Sequence, residues 1–188
     1  MPSATQLIRQ DHKRVEGLFK KFDQSKGGSA KRRLAENAMT ELEVHAALEE
    51  EIFYPAIEKE IDDSSMVEEA RDEHQTVKEL IAELKSLGSE EEEEADEFNT
   101  KFNEMMENVR HHVEEEENEM LPKVEETELD LRKLGDQMAK RKQALQKGSG
   151  AKKKRTSSTS RSKTTTRSKS KSKSTAKSKS KSKRKRSA

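Results

Sequence analysis

HAALEEEIFYP, residues 45–55, places a histidine and a glutamate where a helix would have apolar side chains. Read as a helix, this segment continues an inner stripe that passes through Leu42 and Ile52. Steps of four and three residues keep side chains on one face of an α-helix, and the two positions that complete the stripe are His45 and Glu49. The pattern therefore puts an imidazole and a carboxylate into a row of side chains expected to form the core.

The same arrangement recurs in HVEEEENEMLP at residues 112–122, where His112 and Glu116 take the matching positions. Two other segments, DHKRVEGLFKKF and EHQTVKELIAEL, also match each other and align His12 with His74. The chain thus contains an internal repeat in which each half supplies two histidines and one glutamate.

Helical periodicity runs through almost all of residues 1–146, and no alternating strand pattern occurs there. The predicted helices span roughly 4–24, 29–60, 65–87, 90–120 and 127–146. Short turns between the first four predict an all-α, antiparallel up-and-down four-helix bundle. We expect the bundle at residues 1–125, an additional C-terminal helix at 126–146 and a tail at 147–188.

Polar side chains on the inward faces of helices cost free energy unless something compensates for their burial. The inner stripes contain no Lys or Arg, whereas a first-row metal ion accepts both imidazole nitrogen and carboxylate oxygen. The chain has no Cys, which excludes thiolate metal sites and thiol catalysis. Two equivalent metals, each with two histidines and bridged by both glutamates, would use every one of these groups: His12, His45, Glu49, His74, His112 and Glu116.

The other acidic and imidazole groups near these positions are interpreted as solvent-facing. A solvated acidic face is expected of Glu50, Glu51, Glu114, Glu115 and Glu117. His111 lies off the stripe and is expected to be solvated or to support a neighbouring ligand, and Glu16 is expected at the surface.

The DH and EH pairs, together with the two HxxxEE segments that each end in a proline, resemble the hemerythrin-like HHE cation-binding domain. The resemblance covers residues 5 to about 125 and implies a four-helix bundle that holds a non-haem di-iron centre. It implies the four inner histidines as terminal ligands and the two inner glutamates as bridges. The oxygen-carrying hemerythrins have a second histidine one turn after the third-helix ligand. Lys78 stands there in this chain, which argues against reversible oxygen transport.

Residues 147–188 are nearly all Lys, Arg, Ser and Thr and resemble the Lys-rich tails of linker-histone-like proteins. They hold 18 of the 39 Lys and Arg and none of the 38 acidic residues, so the tail carries +18 and the preceding segment −17. We expect the tail to be disordered and to bind nucleic acid without sequence preference. Its densest basic clusters are Lys152, Lys153, Lys154, Arg155 and Lys183, Arg184, Lys185, Arg186. There are two alternatives: the tail only increases solubility, or it folds back onto the acidic bundle.

These features predict a metal-binding protein with two iron ions that handles oxygen, peroxide, nitric oxide or iron and is tethered to DNA by its tail. Ligand type alone leaves manganese and zinc open. The alternatives are a structural or sensor protein associated with the nucleoid or chromatin, in which the metal only stabilises the bundle, and a ferroxidase or peroxidase. The sequence has no apolar run of signal-peptide or membrane-spanning length, so a cytoplasmic, nucleoid-associated location is expected, or a nuclear one in a eukaryote.

Overall fold

A computed structural model describes residues 2–61, 65–87 and 92–156, and these residues form helices and no strand. Two five-residue π turns, Glu49–Phe53 and Glu116–Met120, interrupt the second and fourth long helices. The α-helices are α1 (Ala4–Gln24), α2 (Gly28–Leu48), α3 (Tyr54–Ile57), α4 (Ser65–Ser86), α5 (Glu92–Glu115), α6 (Leu121–Glu125) and α7 (Leu131–Thr156). The predicted all-α class is confirmed.

The bundle is built from two helical hairpins, α1 with α2 and α4 with α5, and α7 packs across α1 and α2. A capping box fixes the start of α1, because the Ser3 hydroxyl accepts from the Gln6 backbone N–H at 3.2 Å and the Gln6 side chain accepts from the Ser3 N–H at 3.0 Å. None of the helices in the described part of the chain combines the length and apolar character needed to cross a bilayer.

The apolar core consists of two separate clusters along the bundle axis. One cluster contains Phe19, Phe22 and Phe102, and the other contains Ile8, Phe53, Tyr54 and Leu121. In α1, α2, α4 and the run from α5 into the second π turn, the inward histidine lies between members of the first cluster and members of the second. The core is therefore divided by a polar layer at mid-height, with apolar packing above and below it.

The first π turn changes which residues face the core after Glu49. The predicted stripe continued through Ile52 and Ala56, but both are only partly buried, whereas Phe53 and Ile57 are fully buried. The cause is the i→i+5 hydrogen bond from the Tyr54 N–H to the Glu49 carbonyl, which adds one residue to the turn. Every inward position beyond it therefore shifts by one residue.

A proline follows each π turn at the same distance. Pro55 comes six residues after Glu49, and Pro122 comes six residues after Glu116. Proline has no N–H to donate, and its ring crowds the carbonyl four residues earlier, so a regular α-helix cannot continue through it unchanged. The wider π turn lies over the residues where this conflict arises, and in both halves it begins at the inward glutamate.

Helix α7 starts later and extends further than the predicted additional helix. It begins at Leu131 rather than at 126, and its backbone continues past 146 to Thr156. Asp130 precedes it, and its Oδ1 accepts from the Lys133 N–H at 3.0 Å, which explains this starting point. Residues 157–188, the greater part of the predicted tail with Lys183, Arg184, Lys185 and Arg186, lie outside the described residues.

Gly135 lets the backbone of α7 touch the backbone that precedes α1. A Cβ at 135 would meet the Pro2 carbonyl oxygen and would lie 2.8 Å from the Ser3 carbonyl carbon and 2.9 Å from the Ala4 nitrogen. We expect Gly135→Ala to lower the free energy of unfolding by about 1–3 kcal/mol, because backbone atoms cannot move aside as a flexible side chain can. Urea denaturation followed by circular dichroism measures the change.

Gly17→Ala is the matched control, because Gly17 is also in a helix and nothing lies within 4 Å of a Cβ at that position. There the same substitution should raise stability by about 0.5–1 kcal/mol through helix propensity. Equal effects at the two positions would contradict the close approach of α7.

Candidate metal centre

Six polar side chains meet in the layer that divides the core. Each is at most 5% exposed, although every one of them is ionisable. They are the six ligands predicted from the sequence: His12 on α1, His45 on α2, Glu49 and Glu116 at the first residues of the two π turns, His74 on α4 and His112 on α5. We call them the inner six.

The four histidines form two pairs whose Nε2 atoms face each other. The Nε2 atoms of His12 and His45 are 3.1 Å apart, and those of His74 and His112 are 3.2 Å apart. Glu49 connects the pairs, because its Oε1 lies 3.2 Å from Nε2 of His45 and its Oε2 lies 3.3 Å from Nε2 of His74. One carboxylate thus reaches one histidine of each pair.

Glu116 also lies between the pairs, although less evenly. Its Oε2 is 3.1 Å from Nε2 of His12 and 3.9 Å from Nε2 of His112. Two groups of atoms could therefore hold a cation, with the ligand atoms of each group within 4.8 Å of one another. One consists of His12, His45, Glu49 and Glu116, and the other of Glu49, His74 and His112.

The opposite ring nitrogen of every inner histidine faces a second carboxylate. We call Asp11, Glu50, Glu73 and Glu117 the outer carboxylates. The distances from Nδ1 are 2.9 Å for His12 to Glu117, 3.1 Å for His74 to Glu50, 2.9 Å for His112 to Glu73 and 3.9 Å for His45 to Asp11. Only the last exceeds hydrogen-bonding distance.

These contacts determine which ring nitrogen is available to a metal. A carboxylate only accepts, so Nδ1 of His12, His74 and His112 must carry the proton and donate it. In a neutral ring the lone pair is then on Nε2, which is the atom that points at the partner histidine. Outer carboxylates of this kind also hold a ligating ring in position and increase its basicity.

Sequence reasoning assigned Glu50 and Glu117 to a solvated acidic face, and this was wrong for both. Each directly follows one of the two inner glutamates, and the π turn directs it to the histidine of the other hairpin. Because Glu50 reaches α4 and Glu117 reaches α1, the internal repeat extends to the residues around the inner six. The repeated EE pair was the signal that could have identified them.

Two of the outer carboxylates also form ion pairs with lysine side chains. Lys78 Nζ lies 2.6 Å from both oxygens of Glu50, and Lys142 of α7 pairs with Asp11. Arg141, beside Lys142, contacts Glu51 through two nitrogens at 2.6 and 2.8 Å. The additional helix thus places its charges directly against the turn that begins at Glu49.

Two further candidates from the sequence, His111 and Glu16, lie at the surface. The side chain of His111 is 65% exposed, and its Nδ1 lies 3.0 Å from Glu73 Oε1, so it supports an outer carboxylate. Glu16, expected at the surface, pairs with Arg110 at 3.1 Å. Tyr54, to which the sequence assigned no role, is fully buried with its ring centroid 5.7 Å from that of His74.

The inner carboxylates have no hydrogen-bond donors. Within the described part of the chain, no group donates to either oxygen of Glu49 or of Glu116, and both residues are buried. Burial raises the pKa of Glu49 well above its usual value, and the charge of Glu116 raises it further. Burial also opposes ionisation of Glu116, but the contact with His12 and the charge of His112 lower its pKa.

The pKa values of His12 and His45 also shift in opposite directions. Burial alone would lower the pKa of His12, but the contact with Glu116 and the charges of Glu116 and Glu49 raise it to about 9. Burial holds the pKa of His45 well below its usual value, and the charge of His12 lowers it further. The metal-free layer therefore binds protons more readily at Glu49 and His12, at positions where a metal ion would otherwise balance the charge.

A model of the hemerythrin HHE cation-binding domain matches residues 3–124, which include all of the inner six. The chain belongs to this family. A hemerythrin-like protein of Schizosaccharomyces pombe is 27% identical over 127 residues, which make up 66% of this chain and 61% of that protein. The chain therefore matches less than two thirds of this relative's length.

A solved structure has the same fold as this HHE domain. The crystal structure of a hemerythrin HHE cation-binding domain-containing protein from Mycobacterium kansasii gives a TM-score of 0.67 at 25% identity. The match covers 83% of this chain and 94% of that one. The resemblance inferred from the four sequence segments is confirmed, and membership of the family implies that the domain binds a metal cation.

The donor set of this HHE domain fits a first-row divalent cation. Imidazole nitrogens and carboxylate oxygens are the ligands that iron, manganese and zinc accept. The oxygens of Glu49 and Glu116, buried beside the Nε2 atoms of the inner histidines, would gain the positive charge of a bound cation in place of that of a protonated ring.

Glu49→Gln should stabilise the metal-free protein, and the gain should depend on pH. The folded-state pKa of Glu49 lies above its value of 4.5 in an unfolded chain, so ionisation above pH 4.5 favours the unfolded state. We expect a difference near zero below pH 4.5 that grows in favour of the variant as the pH rises to 7. Urea denaturation of chelator-treated protein at both pH values measures it.

Glu114→Gln serves as the control, because Glu114 belongs to the same acidic run and is exposed. Its effect should stay within about 0.5 kcal/mol at either pH. A wild-type protein at least as stable as Glu49→Gln at pH 7 would refute the assignment of Glu49 as a strained buried acid.

Proposed function

We propose that this chain is a two-metal, non-haem iron protein in which the inner six hold both ions, with His12, His45, His74 and His112 as terminal ligands and Glu49 and Glu116 as bridges. The observation that carries the proposal is the pair of facing Nε2 contacts, at 3.1 and 3.2 Å, next to carboxylate oxygens for which the described residues supply no hydrogen-bond donor. When the rings are neutral, as ligation requires, the two Nε2 lone pairs of each histidine pair face each other at this distance, and a cation bound by both would remove their repulsion.

Iron is proposed on the basis of the family, since the ligand atoms alone suit several first-row metals. A pair of iron ions supplies a centre that changes oxidation state and binds oxygen, peroxide or nitric oxide. The residues of this chain contribute rigidity and charge around that centre. The outer carboxylates fix the imidazole rings, and the apolar clusters on both sides keep bulk water away.

Lys78 favours small-molecule chemistry other than reversible oxygen transport. It occupies the position where oxygen-carrying hemerythrins have a further histidine, and its ammonium group binds Glu50 instead of pointing to the inner six. The position therefore supplies a counter-charge for an outer carboxylate and leaves the proposed metal site with one ligand fewer.

The purified, iron-loaded protein should contain about two iron ions per chain and show the charge-transfer absorption of a coupled diferric pair. The double variant His45→Ala, His112→Ala removes one terminal ligand from each proposed position and should lose this iron and its spectrum. Metal analysis and ultraviolet-visible spectroscopy make the measurement. Unchanged iron content in the double variant would reject the site.

Comparing two Glu→Gln variants distinguishes weaker metal binding from general destabilisation of the fold. Glu117→Gln keeps the shape of the side chain that orients His12 but weakens its acceptor, and should lower iron affinity by roughly 10- to 100-fold. Glu114→Gln, three residues earlier and exposed, should leave affinity unchanged. Equal affinities for the two variants would show that the outer carboxylates do not support the site.

We also propose that the basic tail binds DNA non-specifically and places the bundle there. The support is compositional, namely +18 of charge without one acidic residue in 147–188, following a segment of −17. The side chains of Lys152, Lys153, Lys154 and Arg155 lie outside the described residues, as do those of the second basic cluster at 183–186.

The full chain should bind duplex DNA with an affinity that falls steeply with salt, because each neutralised phosphate contributes about −0.9 to the slope of log affinity against log salt. A chain that ends at Gln146 should lose both the affinity and most of the slope. Fluorescence anisotropy at several salt concentrations measures both. Equal affinity of the two chains would remove the DNA proposal and leave the metal proposal intact.

A further inference from the structure

An apolar cavity of about 320 Å³, partly open to solvent between the helices, lies beside the inner six. All four inner histidines line it, whereas Glu49 and Glu116 do not. The cavity therefore approaches the histidine pairs from the side away from the bridging glutamates, within the first apolar cluster.

Hydrophobic side chains from all four long helices form most of its wall. They include Val15 and Phe19 of α1, Leu42 of α2, Val77 and Ile81 of α4 and Val109 of α5, all of which are buried. A cavity with such a wall holds water poorly, and one of about 150 Å³ in another protein stays dry and takes up benzene or xenon. A cavity of 320 Å³ exceeds what a diatomic gas requires.

The charged residues at the rim neutralise one another. Arg110 pairs with Glu16 across the seam between α5 and α1 at 3.1 Å, and Lys85 pairs with the rim residue Glu43 across the seam between α4 and α2. Lys78, the other rim cation, is bound to Glu50 at 2.6 Å. Each rim charge thus has a partner, so the rim does not favour a charged head group.

From these observations we infer that the cavity binds a compact, neutral, apolar organic molecule, about the size of a substituted benzene ring. A neutral apolar guest gains from leaving water for the hydrophobic wall, and a charged one would lose its hydration without finding a free counter-ion. Binding rests on the cavity alone. That the guest lies next to the metals rests on the proposed function.

The test uses the full chain, both chelator-treated and iron-loaded, with toluene and indole as neutral probes and benzoate and benzylammonium as charged ones. Calorimetry and thermal denaturation should give saturable one-to-one binding and a raised melting temperature with the neutral probes. The charged probes should bind at least about tenfold more weakly. Absence of saturable binding by both neutral probes, or tighter binding of either ion, would overturn the inference.

Val77→Phe fills the cavity from α4 and should weaken toluene binding at least about tenfold. Leu80→Phe is the matched control, because Leu80 is on the same helix and is 7% exposed, against 8% for Val77, but does not line the cavity. It should keep toluene affinity, although it lowers stability. Val109→Phe repeats the test from α5 if Val77→Phe does not fold. Equal toluene affinity in the wild type and a folded cavity-filling variant would also overturn the inference.

Iron content is measured in the same samples, which separates this inference from the proposed function. Toluene binding by protein that retains no iron after the iron-loading treatment would reject the metal proposal and leave the cavity assignment standing. Two bound iron ions without toluene binding would reject only the cavity assignment.

Discussion

The structure depends on a charge conflict in the middle of its core. Two carboxylates and four imidazoles occupy a layer that is almost closed to water, and within the described residues the glutamate oxygens have no donor. Isolated buried charges of this kind cost several kcal/mol. Without metal, the raised pKa values of Glu49 and His12 favour extra protons that reduce this cost, while the two apolar clusters provide the packing that keeps the layer closed. The same six side chains thus lower the stability of the metal-free fold and would provide its affinity for a metal ion.

The internal repeat supplies each type of site residue twice. The structure extends the repeat to the contacts that these residues make. Each half contributes an acidic residue just before its first histidine, a histidine with a glutamate four residues later, and a second glutamate directly after that one. In the structure Glu50 and Glu117 cross between the hairpins, whereas Asp11 and Glu73 face histidines of their own hairpin. Both hairpins are therefore needed to orient the histidines of either one.

Helix periodicity and the two HxxxEE segments were sufficient to predict the fold class, the helix order and the meeting of the inner six. Periodicity assumes 3.6 residues per turn, so it could not reveal the π turns that bring Phe53 and Ile57 inward in place of Ile52 and Ala56. The same widening directs Glu50 towards His74, which is why a residue that looked solvent-facing contacts the site. Contacts between distant segments, such as Lys142 with Asp11, produce no periodic pattern in the sequence, so periodicity could not predict them.

Lys142 is synthesised long after Asp11, the residue with which it pairs. Every member of the inner six precedes α7, and the cation that pairs with Asp11 is made after all of them. A ribosome-bound chain can therefore bring its six ligands together while Asp11 still lacks its lysine. The charge balance behind His45 is therefore completed only when α7 packs against α1 and brings Lys142 to Asp11.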